Sequence, residues 1–498
     1  MRRSLGIAAI VLVACALAWP MQVNGDNQNA HYALTKAIAR GVPYIDDTLV
    51  ETGDLQSHDT AQRGEHLYTV KSPGLAMAAA PTYLVVEGVG ARTTGDPTRV
   101  VWFLNLFTSV LATVALLFAL RAVAERFEPG FGSATAVIVG LGALTLPFAT
   151  LFFSHALSAG LVFVSFALLV RRDVAPWRLV AAGIALGASV VVELGAWPAA
   201  LVVAIYALAV TRSVRRFVVF AAGGALGVLP LAVFNAWAFG NPLHTAYSDY
   251  LRTHNEWDHT AFPNWEGLSP QLFSSLGLLT LAPILGAGVA GAVVLYRRGM
   301  RAEALVCAGV PIAMIAYYAG NGAFGGLGPP RTLTPIMPFA LAPVAVALRR
   351  WPLATLTAAA VTCFQAVLMT ATGPLAAYDG DWLTRVANRQ FVATAASLVG
   401  ITGWYAIAPF LLAVAAALGL ALGSLEWSGR FAASDALAAV IGLVTWGVVA
   451  LASYNDYGHT PSVRYVVTIV AALSIVALVA AATASRASRR AAPQLASP

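Results

Sequence analysis

The chain has 498 residues, of which 59% are hydrophobic and only 11% charged, with a formal net charge of +7. A soluble globular domain carries about 25% charged residues, so that class is excluded. A transmembrane β-barrel is excluded too, because the apolar runs are continuous rather than alternating. The arginines sit in pairs at the ends of apolar runs rather than in one basic patch, which argues against nucleic acid as a partner.

Apolar runs of about 20 residues recur from end to end, the length that crosses about 30 Å of hydrocarbon. They predict an all-α polytopic membrane protein with about 14 transmembrane helices. In chain order the runs are 4–23, 99–121, 132–152, 155–170, 177–192, 195–211, 217–238, 272–296, 303–320, 333–348, 352–372, 404–424, 433–453 and 464–484. The opening MRRSLGIAAIVLVACALAWP reads as an uncleaved first span with Arg2 and Arg3 inside. The fifth and sixth runs are short and read equally well as one bent hairpin around Glu193 and Pro198. Residues 74–90 are also apolar, but a span there would invert the charge bias of every later loop. Pro73, Pro81 and Glu87 favour a helix lying in the membrane plane. Cys15, Cys307 and Cys363 all fall inside apolar runs and give neither a disulfide framework nor a zinc spacing.

The excess of arginine in short loops puts both termini on the cytoplasmic side of a cell membrane. All eight histidines then fall outside, so the outer face is the working face. The expected organisation is a transmembrane module over 1–350 with its first outer loop at 24–98. Further helices over 351–485 and a basic cytoplasmic tail at 486–498 follow. Lysine-poor, Ala/Arg-rich composition points to a GC-rich bacterial genome. No Walker loop, dinucleotide fingerprint or Gly-x-Ser-x-Gly elbow is present, so any chemistry belongs at the membrane surface.

Residues 24–73 form the one long polar segment, with both lysines, three of the eight histidines and seven of the 23 acids. Asp26 is the first carboxylate after the first span. Ala30, Ala33, Leu34, Ala37 and Ile38 follow at helical spacing, with Lys36 and Arg40 as an i,i+4 cationic pair and Gly41 as a stop. This predicts a short amphipathic helix on the bilayer, with Asp26 either its N-cap or a general base at the water–lipid boundary. Lys71, before Ser72-Pro73-Gly74, can anchor the next helix or meet a lipid phosphate at headgroup depth. Arg331 ends a stretch of glycines and prolines and can anchor a span or grip phosphate bidentately.

His155 follows Phe152-Phe153-Ser154 at a tight outer turn. Asp249, Trp257 and Asp258 belong to a polar, aromatic loop after the seventh run, suited to a sugar or left as a solvated loop with belt tryptophans. His254, Asp258 and His259 match no strong metal signature, and Asp46-Asp47 is a weak metal pair, so no cofactor is firmly implied and a divalent metal stays open.

As an ordered set, these residues resemble the GT-C-fold membrane glycosyltransferases, in particular bacterial relatives of the dolichyl-phosphate-mannose protein mannosyltransferases (glycosyltransferase 39-like). The matching stretches are Gly25-Asp26 leading into His31-Tyr32-Ala33-Leu34, Thr52-Gly53-Asp54, and the turn Tyr68-Thr69-Val70-Lys71-Ser72-Pro73-Gly74. Pro147-Phe148 with Ser154-His155, Phe239-Gly240-Asn241-Pro242 and Gly328-Pro329-Pro330-Arg331 continue the order over roughly the first 350 residues. The resemblance implies transfer of a sugar from a polyprenyl-phosphate donor to a glycan, lipid or protein acceptor in the cell envelope. It makes Asp26 the residue that activates the acceptor, and Lys71 and Arg331 the cations on the donor phosphate. His31 and Tyr32 are implied substrate contacts. Many relatives carry a second acid after the aspartate where this chain has Asn27, and Gly-Pro-Arg here reads Gly-Pro-Pro-Arg. A transporter or flippase of lipid-linked sugar, and a catalytically inactive assembly partner, are the alternative readings.

Overall fold

Backbone N–H and C=O groups in hydrocarbon find no water, so apolar runs must satisfy them internally as helices. The computed structural model describes residues 2–22, 25–50, 57–90, 97–170, 174–254, 262–320, 330–375, 382–426 and 432–452. Among them, seven helices are long and apolar enough to cross a membrane. They are Thr98–Phe127, Leu194–Thr211, Val214–Phe239, Arg301–Ala319, Pro352–Thr372, Gly403–Ser424 and Ala433–Leu451. Two more runs, Trp265–Leu281 with Leu285–Arg297 and Arg331–Leu341 with Val344–Arg350, are bent by 81° and 51°, which gives up to nine.

The expected fourteen are not reached among the described residues. The run at 464–484 lies outside them. The first run is a 17-residue helix, Arg2–Ala18, that gives way to the short strand Pro20–Met21. The runs near 272–296 and 333–348 break where Pro283 and Pro343 cannot continue the helical ladder. The run near 132–152 breaks after Leu141, with Ala143 in the left-handed region at φ 51°. The fifth and sixth runs are two helices, Pro176–Val192 and Trp197–Thr211, with the break between them at Glu193.

Packing follows the small residues. Pro176–Val192 crosses Val214–Phe239 with Gly183 and Gly187 against Gly223 and Gly227, where any Cβ would overlap facing backbone. Arg2–Ala18 lies along Gly403–Ser424. Its exit is tied to the same region by Trp19 Nε1, which donates to Ala406 O at 2.8 Å, and by pairing of Pro20–Met21 with Ala393–Thr394.

The helix Thr98–Phe127 defines two poles. At its C-terminal end the buried Glu128 carboxylate accepts from Arg298 and Arg349, each at 2.6 Å, joining three helix ends. Nineteen residues earlier, about 30 Å along the helix, Ser109 Oγ donates to Phe153 O at 3.1 Å. That second pole carries the polar loop.

The loop helix is Asp26–Ala39, and it is not a surface helix. Every residue from Asn27 to Ala37 is buried, Lys36 included at 0% exposure. The helix is enclosed by Gly74–Gly88 and by loop residues, so its apolar and polar faces alike meet protein. Gly25, not Asp26, is its N-cap, and no side chain caps it. The polar excursion that follows folds back as a hairpin, Thr60–Arg63 with His66–Thr69, turning at Gly64 with φ 62°. Asp46 secures this hairpin by accepting from Leu67 N and from His66 Nδ1 at 2.5 and 2.6 Å.

Candidate active site

The hairpin register brings the two ends of the loop together. Thr60 pairs with Thr69, so the residue before the first strand falls beside the residues after the second. Val70 N donates to Asp59 O at 3.0 Å, and Lys71 Nζ then meets Asp59 Oδ2 at 2.9 Å. One residue earlier, His58 Nδ1 stands 3.1 Å from Oδ2 of the half-exposed Asp26, and Ser57 Oγ donates to Asp26 O at 2.8 Å. A three-residue segment therefore holds both ends of the loop, with Asp26 on His58 and Lys71 on Asp59. Asp26 is left with a water-accessible carboxylate that caps nothing.

Lys71 also faces inward. The turn after it docks on the break of the fifth and sixth runs: Leu194 N donates to Ser72 Oγ at 3.0 Å. A Cβ on Gly74 would stand 2.6 Å from Val192 N, so only glycine permits this approach. The break presents Glu193, whose carboxylate accepts from Ser154 Oγ and lies 2.8 Å from His155 Nδ1. Apart from that contact, both His155 ring nitrogens are buried without a hydrogen-bond partner. His31, fully buried with both nitrogens unpartnered, belongs to the same group.

Electrostatics tie this cluster together. Burial first, then the charge of Lys71, push the His31 pKa down to about 3, so its ring is neutral at physiological pH. Burial alone would raise the Glu193 pKa, but His155, the Ser154 hydroxyl and Lys71 outweigh it and hold the carboxyl at about 2. Lys71 thus stands between a water-facing carboxylate, Asp59, and a buried one, Glu193.

Arg331 joins through an aromatic bridge. Its guanidinium lies 5.7 Å from the Phe153 ring centre, and Phe153 meets the His155 ring edge-on at 5.7 Å. His31 meets Phe152 edge-on at 6.2 Å. Asp26, Lys71, His31, His155 and Arg331 are thus linked around one pole.

Two other candidates stand apart. Tyr32 is fully buried in an apolar cluster with Leu75, Ala79 and Tyr83, a packing position. Asp249 is engaged by Arg63 at 3.2 Å and His244 at 2.8 Å, which stitches the hairpin to helix Ala246–His254. Trp257 and Asp258 lie outside the described residues.

Sequence reasoning passed over His58, Asp59 and Glu193 as site residues. Gly64-Glu65 between two short runs was the available hairpin signal, and its register delivers Asp59 to Lys71. Glu193 is an acid in a brief gap between apolar runs, a position that is costly without a role. Among the described residues, no group of three or more His, Cys, Asp or Glu side chains could hold a metal ion.

No family model and no curated protein matches the chain. Among solved structures, it is similar to ArnT from Cupriavidus metallidurans bound to undecaprenyl phosphate, at 17% identity and TM-score 0.48, over 90% of this chain and 75% of that one. It is also similar to the Archaeoglobus fulgidus oligosaccharyltransferase in its apo form, at 13% identity and TM-score 0.46, over 87% of this chain and 57% of that one. Both overlaps are below a TM-score of 0.5, so the chemistry of this multi-span helical protein stands on its own residues.

Proposed function

We propose that the chain is an integral-membrane glycosyltransferase that moves a sugar from a polyprenyl-phosphate donor to a hydroxyl acceptor at the outer face of the cytoplasmic membrane. Asp26 takes the proton of the acceptor hydroxyl as its oxygen attacks the anomeric carbon. The bond from that carbon to the phosphate oxygen breaks, its electron pair leaves with the polyprenyl phosphate, and configuration inverts. Lys71 and Arg331 stabilise the charge that grows on the departing phosphate. His31, its ring neutral, and the buried His155 contact sugar hydroxyls. His58 orients Asp26, and Asp249 holds the hairpin that carries the site.

The observation that supports this most is the pairing of one water-accessible carboxylate, Asp26, with one lysine, Lys71, across residues 57–59 at a buried polar cluster. A base exposed to acceptor and a cation that faces inward suit a transfer between an aqueous hydroxyl and a lipid phosphate. In membranes supplied with labelled polyprenyl-phosphate sugars, Asp26→Asn abolishes transfer while expression is retained. Full activity in that variant removes Asp26 from the reaction.

A further inference from the structure

The acid on Lys71 has no place in the transfer as written. Asp59 has no catalytic part here: its Oδ2 meets Lys71 Nζ, 2.9 Å away, and its backbone carbonyl accepts from Val70 N and Thr69 Oγ1. Only its side chain is free to let go, by a rotamer change that leaves the hairpin intact. A lysine presents three donors on a flexible stem. A carboxylate resting there occupies the place of an anionic ligand, and any phosphate that reaches Lys71 must compete with it. The competition weakens both lipids of the reaction by the same factor, but their intrinsic hold on the cations differs. The sugar-loaded donor is a phosphodiester with one negative charge, whereas the spent lipid is a phosphomonoester with up to two. Without a competitor, Lys71 and Arg331 would hold the product more tightly than the substrate, and turnover would stall on release.

We propose that Asp59 is a positioning residue that re-pairs with Lys71 after transfer and so clears the spent polyprenyl phosphate from the site. The proposal rests on the reading of Lys71 as the cation of a lipid phosphate. Glu193 does not serve in this role, because its carboxylate is already committed to Ser154 and His155 in a buried setting. A partly exposed ion pair is worth about 1 kcal/mol, which sets the size of the expected effect at about three- to tenfold in affinity.

The test is direct binding of undecaprenyl phosphate to the purified full-length chain in detergent. Asp59→Asn binds about three- to tenfold more tightly than the wild type, and Asp59→Ser behaves likewise, although each unliganded variant melts slightly lower for want of the ion pair. Lys71→Ala binds weakly, and adding Asp59→Asn to it restores nothing, because Asp59 acts only through Lys71. Equal or weaker binding by both Asp59 variants overturns the proposal. So does tightening of the same size in the Lys71→Ala background, which would be general charge removal. If wild type and Lys71→Ala bind alike, or neither binds, Lys71 is not the phosphate cation and the proposal falls with the reading beneath it.

Discussion

At the scale of single residues, the site is defined by what each titratable group is paired with. Asp26 retains one oxygen region open to water beside His58, while Lys71 is committed to Asp59 and influences a buried group made of His31, His155 and Glu193. His31 makes that burial measurable. Its folded pKa of about 3 lies below the unfolded value of 6.5. Between those values the unfolded chain binds a proton that the folded one does not, so stability falls as pH drops below about 6.5 and is unaffected above it. The slope reaches about 1.4 kcal/mol per pH unit. The depressed Glu193 carboxyl acts lower: its contribution is complete above 4.5 and is lost toward 2, outside the window. Thermal unfolding in detergent between pH 7.5 and 5 therefore shows a smaller acid loss for His31→Asn than for wild type. An identical loss in both would mean that His31 is solvated.

At the scale of elements, the loop is an architecture rather than a tether. Gly74 lets the turn after Lys71 press on backbone at Val191 and Val192, and the hairpin register fixes Asp59 opposite that turn. Gly74→Ala must push these segments apart by several tenths of an ångström. The expected outcome is a fall of several-fold or more in transfer rate and in undecaprenyl phosphate affinity, with the helix content preserved in circular dichroism. Wild-type binding and turnover in Gly74→Ala would dissociate the close approach from the site. Sequence periodicity locates the Asp26–Ala39 helix correctly but misplaces it, since the alternation of apolar and polar positions cannot say that a second layer of protein covers the polar face. Lys36 illustrates the point: a cation four residues from Arg40 reads as surface, yet it is fully buried with its ammonium 5.7 Å from the Tyr32 ring centre. Asp26 and Lys71 stand out in sequence because they flank the segment. Asp59 and Glu193 do not, because register and a helix break, neither of them a local property, bring them to Lys71.

At the scale of the whole molecule, the helical membrane class is written in composition, whereas the span count is not. Proline and glycine interruptions turn three of the expected straight runs into broken ones, whereas the functional side chains enter between runs, Glu193 between the fifth and sixth and His155 at the start of the fourth. The breaks also divide the molecule's charge between two poles. Arginines close one end around Glu128, and His31, His58, His155, Lys71 and Asp26 gather at the other. Under the proposed function, envelope modification takes place on the side of the polar loop. The measurement that bears most directly on this is mass spectrometry of envelope glycans and glycoproteins from cells lacking the chain, complemented with wild type or with Asp26→Asn. The account predicts hexose or pentose mass increments that return with wild type and stay absent with Asp26→Asn. Identical glycans with and without the chain, or full restoration by Asp26→Asn, would contradict it.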